Sequence, residues 1–223
     1  GLVRDLVGGT SALVLVSGLD AKLLRGLSAS ARRWSIILQI GSVLLVLLFL
    51  IPLVLAFQAY RQRNLSFPSI CRFEDVWETK FLSTKDAQAE FISAPSAWTA
   101  SGDGSAGHVH FFPANYPALI LDEPVPDWRD FEFFVFEIYS ELGTEIDMAL
   151  RIDDRWHDQT YADRFNHRFS VPPGSSQVRV ALADVKVAPQ GREMDMAEIY
   201  TIVIFAKQPA SPFTLWFDNM RLE

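Results

Sequence analysis

FEFFVFEIY (131–139) and EIDMALRID (145–153) decide how this chain reads. In the second run Ile146, Met148, Leu150 and Ile152 alternate with Asp147, Ala149, Arg151 and Asp153. Successive side chains of a strand point to opposite faces, so the spacing predicts a strand with one apolar and one polar side. In the first run Phe134, Phe136 and Ile138 share a side, with Phe133, Val135, Glu137 and Tyr139 opposite. QVRVAL (177–182) repeats the pattern, setting Val178, Val180 and Leu182 against Arg179. The even positions read as the core side of one sheet. The odd positions form a mixed charged and aromatic face, either solvated surface or a ligand platform.

Outward from these runs, short apolar or alternating segments recur: SICRF (69–73), AEFIS (89–93), HVHFF (108–112), ALIL (118–121), NHRFSV (166–171), IYTIVIFA (199–206) and FTLWFD (213–218). SGDGSAG, EPVPDW, PPGSS, APQG and KQPASP separate them, and these are turn and loop compositions. Ten short strands without a long helical run predict an all-β sandwich.

The chain before Phe67 is of another kind. Residues 34–60, WSIILQIGSVLLVLLFLIPLVLAFQAY, hold no charged side chain. At 1.5 Å per helical residue they are long enough to cross a hydrocarbon core of ~30 Å. Arg32 and Arg33 precede this run and Arg61 and Arg63 follow it; Pro52 inside it is tolerated in a membrane helix. Residues 6–19, LVGGTSALVLVSGL, read as part of a second, shorter apolar helix, and the expectation is a helix whose start lies before this sequence and a chain that is a C-terminal fragment. Between the two, Lys22, Arg25, Arg32 and Arg33 predict a cytoplasmic loop, which places the distal domain outside the cell membrane. The expectation is a jelly-roll sandwich over 64–223, preceded by two transmembrane helices within 1–63.

Charge follows the same division. Residues 1–63 hold seven basic and two acidic side chains, whereas 64–223 hold 13 basic and 25 acidic ones, a net of about −12. So acidic a domain repels phosphates, which argues against nucleic acid as a partner. Cys71 is the single cysteine, so no intrachain disulfide forms.

The densest polar and aromatic stretch is RIDDRWHDQTYADRFNHRF (151–169). Sugar recognition needs charged groups for hydroxyls and flat rings for a pyranose face. Arg151, His157, Tyr161 and Asn166 are the expected carbohydrate contacts, with Trp156 as a stacking platform. The alternative is that the charges of this stretch pair with one another and hold a loop. Asp153, Asp154, Asp158 and Asp163 could supply a glycosidase pair, but no GxSxG, HExxH, Walker or GxGxxG motif occurs. His108 and His110 share a strand face and lack an evident third metal ligand.

The run LRIDDRWHDQTYADRFNHRFSVPPG through LWFDNMRLE, with YPALILDEPVPDWRDFEFFVFEIYS before it, resembles a carbohydrate-binding-module jelly roll of the galactose-binding-like group. RDLVGGTSALVL (4–15) resembles the start of the last helix of VanZ-like membrane proteins, although Gly9 and Ala12 stand where that family shows asparagine and glycine. The resemblance implies a membrane-anchored, extracytoplasmic module that binds a glycan or cell-envelope polysaccharide and is not itself an enzyme. It also implies a structural Ca2+ between Glu74, after the first strand, and Asp218 in the last. Two other readings stay open: an enzyme that modifies polysaccharide, and a protein-interaction or assembly module, since the jelly roll also resembles a respiratory-complex assembly factor domain.

Overall fold

The structure, a computed structural model, describes residues 29–98 and 104–223. The expected apolar helix over 6–19, and the VanZ-like run with it, lie outside the described residues. The chain divides into two compact units, Gly1–Ala56 and Phe57–Glu223.

Helix α1 (Ala29–Ser66) runs through Pro52 and carries no acidic residue. Its part from Arg33 to Ser66 has a mean hydropathy of 2.9 over its richest window, and among the described residues it is the one helix long and apolar enough to cross a membrane. Leu38 and Phe49 on it are 70% and 73% exposed. Its last turns belong to the second unit. There Ala59 is buried, the Tyr60 ring meets Phe81 edge-on at 5.1 Å, and Arg63 Nη1 donates to the Glu123 carbonyl at 2.6 Å.

The rest of the second unit is two packed antiparallel sheets. Strands β1 (Ser69–Cys71), β3 (Ala87–Ser93), β4 (Ser105–Phe111), β6 (Phe133–Ser140), β9 (Gly174–Ala181) and β11 (Phe213–Leu222) form one. Its order is β3-β4-β11-β6-β9, with β1 added on β11. Strands β2 (Leu82–Lys85), β5 (Ala118–Asp122), β7 (Ile146–Asp154), β8 (Phe165–Val171) and β10 (Ile199–Phe205) form the other, ordered β2-β5-β10-β7-β8. Repeated crossing between sheets is consistent with a jelly roll. One short helix, α2 (Leu182–Lys186), follows β9.

The alternating residues go where their period sends them. Phe134, Phe136 and Ile138 from β6 meet Leu150 and Ile152 from β7 in the core, all fully buried. Removing a side chain of that size from water contributes roughly 1.5–3 kcal/mol. Trp128 is fully buried as well, and its indole N–H keeps a partner by donating to the Val125 carbonyl at 2.8 Å. Gly107 on β4 admits no side chain, because a Cβ would stand 2.4 Å from the Phe73 ring.

All ten expected strands are present, and two details differ from the sequence reading. The three alternating runs do not share a sheet: β6 and β9 belong to the six-stranded one and β7 to the five-stranded one. An eleventh strand, β2, was not anticipated. LSTK has a single apolar residue and lies at a sheet edge, pairing only with β5, so no hydrophobic period announces it.

Candidate functional site

Register across the five-stranded sheet assembles a surface that faces away from the core. Arg151 on β7 pairs with Asn166 on β8 and Val203 on β10; Val203 then pairs with Ile120 on β5, and Ile120 with Ser83 on β2. The next row is Arg168, Ala149, Phe205, Ala118 and Lys85. Apart from Ser83, these two rows floor an open groove of about 560 Å³, with small and apolar side chains in the middle and polar ones at both edges. Tyr116 and Tyr161 rise beside it, 47% and 67% exposed. Tyr116 is propped edge-on against Phe205 at 5.8 Å.

Three of the five expected contacts line this groove: Arg151, Tyr161 and Asn166. Arg151 is held by Asp153, its Nε 2.9 and 2.7 Å from the two carboxylate oxygens. The Asn166 amide donates to the Tyr161 carbonyl at 3.2 Å and accepts from Arg164 Nε at 3.0 Å, which ties the loop wall to β8. The Arg164 guanidinium lies over the Tyr161 ring at 5.1 Å. Burial, and then the like charge of Arg151, lower the pKa of Arg164 from its ordinary value.

The other two expected contacts lie elsewhere. Trp156 is exposed but is not among the groove's lining residues, and its indole N–H points to Asp195 Oδ2 at 3.3 Å. His157 cannot reach a ligand, because its side chain is only 4% exposed. Its Nδ1 donates to the Asp163 carbonyl at 2.7 Å, and a carbonyl only accepts, so the ring proton is on that nitrogen. Nε2 is buried without a hydrogen-bond partner, 4.0 Å from Asp153 Oδ1. His157 therefore stands behind Asp153, which in turn stands behind Arg151.

The aspartates of this stretch are fastened by a residue that the sequence reading overlooked. Arg192 reaches Asp154 with Nη1 at 2.5 Å and Nη2 at 2.8 Å, and holds Asp163 through Nε and through Nη2 at 3.0 Å. Asp154, fully buried, also accepts from the Asp195 N–H at 2.8 Å. The Arg192 hydrogen bonds hold the Asp163 carboxyl down to about 2. Hydrogen bonds from Thr160 lower Asp158 as well. A general acid needs the opposite shift, and among the described residues no carboxylate lines the groove. His157, Asp158 and Asp163 bring ligand-type atoms within 4.8 Å of one another. The bonds within the loop already engage them: Asp163 Oδ2 takes the Asp158 N–H at 2.9 Å as well as Arg192.

The outer face of the other sheet has rings of its own. Glu90, His108, Trp216, Tyr139 and Ser175 form one row across it. Trp98, from the segment after β3, lies flat on Tyr139 with centroids 5.6 Å apart, and His108 leans on Trp216 at 4.4 Å. Trp98 and Trp216 are only 5% and 7% exposed, so the chain covers this row with itself. His110 Nδ1 is 2.9 Å from Thr214 Oγ1, and among the described residues no third ligand gathers around the two histidines.

For calcium, the antiparallel pairing of Cys71 with Met220 brings Glu74 and Asp218 to the same end of β1 and β11. Asp218 is fully buried and accepts from the Asn219 N–H at 2.7 Å. Glu74 is 3.1 Å from Arg72 Nη2. A buried carboxylate and a second, nearly buried one fit the oxygen chemistry of a hard cation, with Arg72 as competitor for Glu74. Glu78, not singled out in the sequence, is buried nearby and accepts three backbone N–H groups, from Arg72, Glu74 and Asp75.

No protein-family model matches the sequence, and no curated protein matches it. Solved structures do resemble its fold. A family 11 carbohydrate-binding module from Clostridium thermocellum, in complex with a β-1,3-1,4-mixed-linked tetrasaccharide, has a TM-score of 0.52 at 14% identity, over 69% of this chain and 93% of that one. The shared feature is the two-sheet β-sandwich fold. An exo-β-agarase (TM-score 0.55, 15% identity) and the agarase AgWH50C (0.54, 15%) also match over 70% of this chain. The chain spans about a quarter of the length of those enzymes, 24% and 26%.

Proposed function

We propose that residues 64–223 bind a glycan in the groove on the five-stranded sheet, and that α1 anchors the module in a membrane with the sandwich outside. One observation carries the glycan reading. The groove joins two exposed tyrosines to an apolar floor and to an arginine fixed in place by Asp153. Rings stack on the apolar faces of sugars while the fixed guanidinium donates to hydroxyls, and because Asp153 already orients Arg151, little side-chain entropy is lost on binding. Arg151, Tyr161 and Asn166 make the contacts in this reading. The fold likeness to a carbohydrate-binding module supports it.

The test is a polysaccharide-binding screen on the full chain in neutral detergent, compared with Tyr161→Ala. Binding that survives this substitution unchanged would place the site elsewhere.

The anchor rests on the charge-free, uncovered length of α1, and the orientation on the basic loop before it. A cysteine at Ser175, with Cys71 replaced, should react with a membrane-impermeant thiol reagent on intact cells; labelling only after lysis overturns the orientation. Membership of a VanZ-like protein rests on residues 4–15 alone. Glu74 and Asp218 would hold the structural Ca2+. A chelator should then lower the melting temperature, and Asp218→Ala should remove the difference.

A further inference from the structure

The charge of the groove opposes the charge of the domain around it. Residues 64–223 carry 25 acidic and 13 basic side chains, yet Lys85, Arg151, Arg164, Arg168 and Lys207 line the groove and, among the described residues, no aspartate or glutamate does. Only Arg151 has a matching carboxylate. Among the described residues no carboxylate oxygen lies within 4.0 Å of the charged nitrogens of Lys85, Arg164, Arg168 or Lys207. Register fixes where these charges stand. Lys85 and Arg168 end the same row on the two edge strands, with Ala118, Phe205 and Ala149 between them. At ~4.8 Å between strands that row is roughly 19 Å long. Lys207 follows β10 and Arg164 precedes β8, so cations surround an apolar, ring-flanked floor.

Grouping like charges without counter-ions destabilises the free protein. A neutral sugar would not relieve that repulsion, because its hydroxyls carry no charge; a carboxylate or sulfate would. Burial first, and then the like charge of Arg151, lower the pKa of Arg164, with Asp153 opposing them. We infer that the groove is built for an acidic polysaccharide, whose ring faces lie on the floor by Tyr116 and Tyr161 and whose anionic groups meet Lys85, Arg164, Arg168 and Lys207. This specifies the ligand class of the glycan reading above and rests on it. The acidic remainder of the domain then repels polyanions that approach any other face.

The experiment measures binding of the full chain in neutral detergent to polygalacturonate and λ-carrageenan. Methyl-esterified pectin and mixed-linkage β-glucan serve as uncharged counterparts, and poly-glutamate as a polyanion without rings. At least one acidic polysaccharide should bind tenfold or more tighter than its uncharged counterpart and than poly-glutamate, with affinity falling as salt rises. Lys85→Ala and Lys207→Ala should each weaken that binding roughly twofold to fivefold, as expected of exposed charge pairs. Lys207→Arg should retain it. Equal or tighter, salt-insensitive binding of the uncharged polysaccharides overturns the inference and leaves the glycan reading standing. Binding to poly-glutamate as tight as to the acidic polysaccharides overturns it too, because charge alone is then read. If no polysaccharide binds, both readings fall.

Discussion

The two outer sheet faces of the sandwich hold similar residues and have opposite fates. On the six-stranded sheet Trp216, Tyr139 and His108 form an aromatic row, and the segment ending at Trp98 lies down over it. On the five-stranded sheet Tyr116 and Tyr161 flank a groove that has Phe205 in its floor and stays open, and the loop after β7 is held at its side by Arg192 instead of folding across. Outward-facing rings are therefore not in themselves a binding surface. Whether they are depends on which connecting loop covers them, and that is a property of loops and not of strand alternation.

Breaking the closed face should have the largest effect. Trp216→Ala removes a nearly buried indole from both Trp98 and β4, and should destabilise the domain by about 3–5 kcal/mol in chemical denaturation. A loss under about 1 kcal/mol would mean that this face is not a sealed core, and the contrast between the faces would fail.

Next is the clamp beside the open face. Arg192→Ala leaves fully buried Asp154 without its cation, at a cost of about 3 kcal/mol, and should also weaken glycan binding although Arg192 does not line the groove. Acid should imitate the substitution. Asp163, held near 2 by Arg192, binds its proton more readily in the unfolded chain, where its pKa is the ordinary 3.8. Its stabilising contribution is complete above about pH 4 and is lost as pH falls from there towards 2. Denaturation against pH should show this loss in the parent and not in Arg192→Ala. An identical acid profile in both would detach Asp163 from the clamp.

The sandwich was largely legible because its strands alternate, and alternation survives without knowledge of partners. EIDMALRID shows its buried side in any sheet. It does not show which sheet, and β6 and β7, alike in alternation, belong to different ones. The site was legible only where a strand position settled it. Arg151 and Asn166 face outward by parity, and both line the groove. In the loop between β7 and β8 parity has no meaning. Tyr161 lines the groove, whereas His157 turned inward to the Asp163 carbonyl and Trp156 turned towards Asp195. Arg192, about 30 residues away among turn residues, gave no local signal. Lys85 was hidden with β2, whose LSTK lacks a hydrophobic period.

Sharpening the open face calls for smaller effects. Arg151→Ala and Tyr161→Ala should each weaken glycan binding by roughly 1–3 kcal/mol and change folding less, since Tyr161 is 67% exposed and Arg151 faces away from the core. His157→Ala tests the layer behind. It should weaken binding less than Arg151→Ala, because Asp153 still reaches Arg151 directly at 2.7 Å. An effect of His157→Ala on binding as large as that of Arg151→Ala would put the imidazole in contact with the ligand after all.

The smallest effect is expected at Trp156, where exposure and position point in opposite directions. By composition it is the best stacking platform in the stretch, large, aromatic and 64% exposed. By position it is outside the groove, in the turn that follows Asp154, with its indole N–H directed to Asp195 at 3.3 Å. If position governs, Trp156→Ala should alter glycan affinity by less than about twofold and stability by about 0.5 kcal/mol, the usual scale for an exposed side chain. Titration of the variant and the parent with the same polysaccharide decides it. A loss comparable to that of Tyr161→Ala would move the binding surface towards the Trp156–Asp195 end of the sandwich. Exposure of a single ring would then have been a better guide than the register that built the groove.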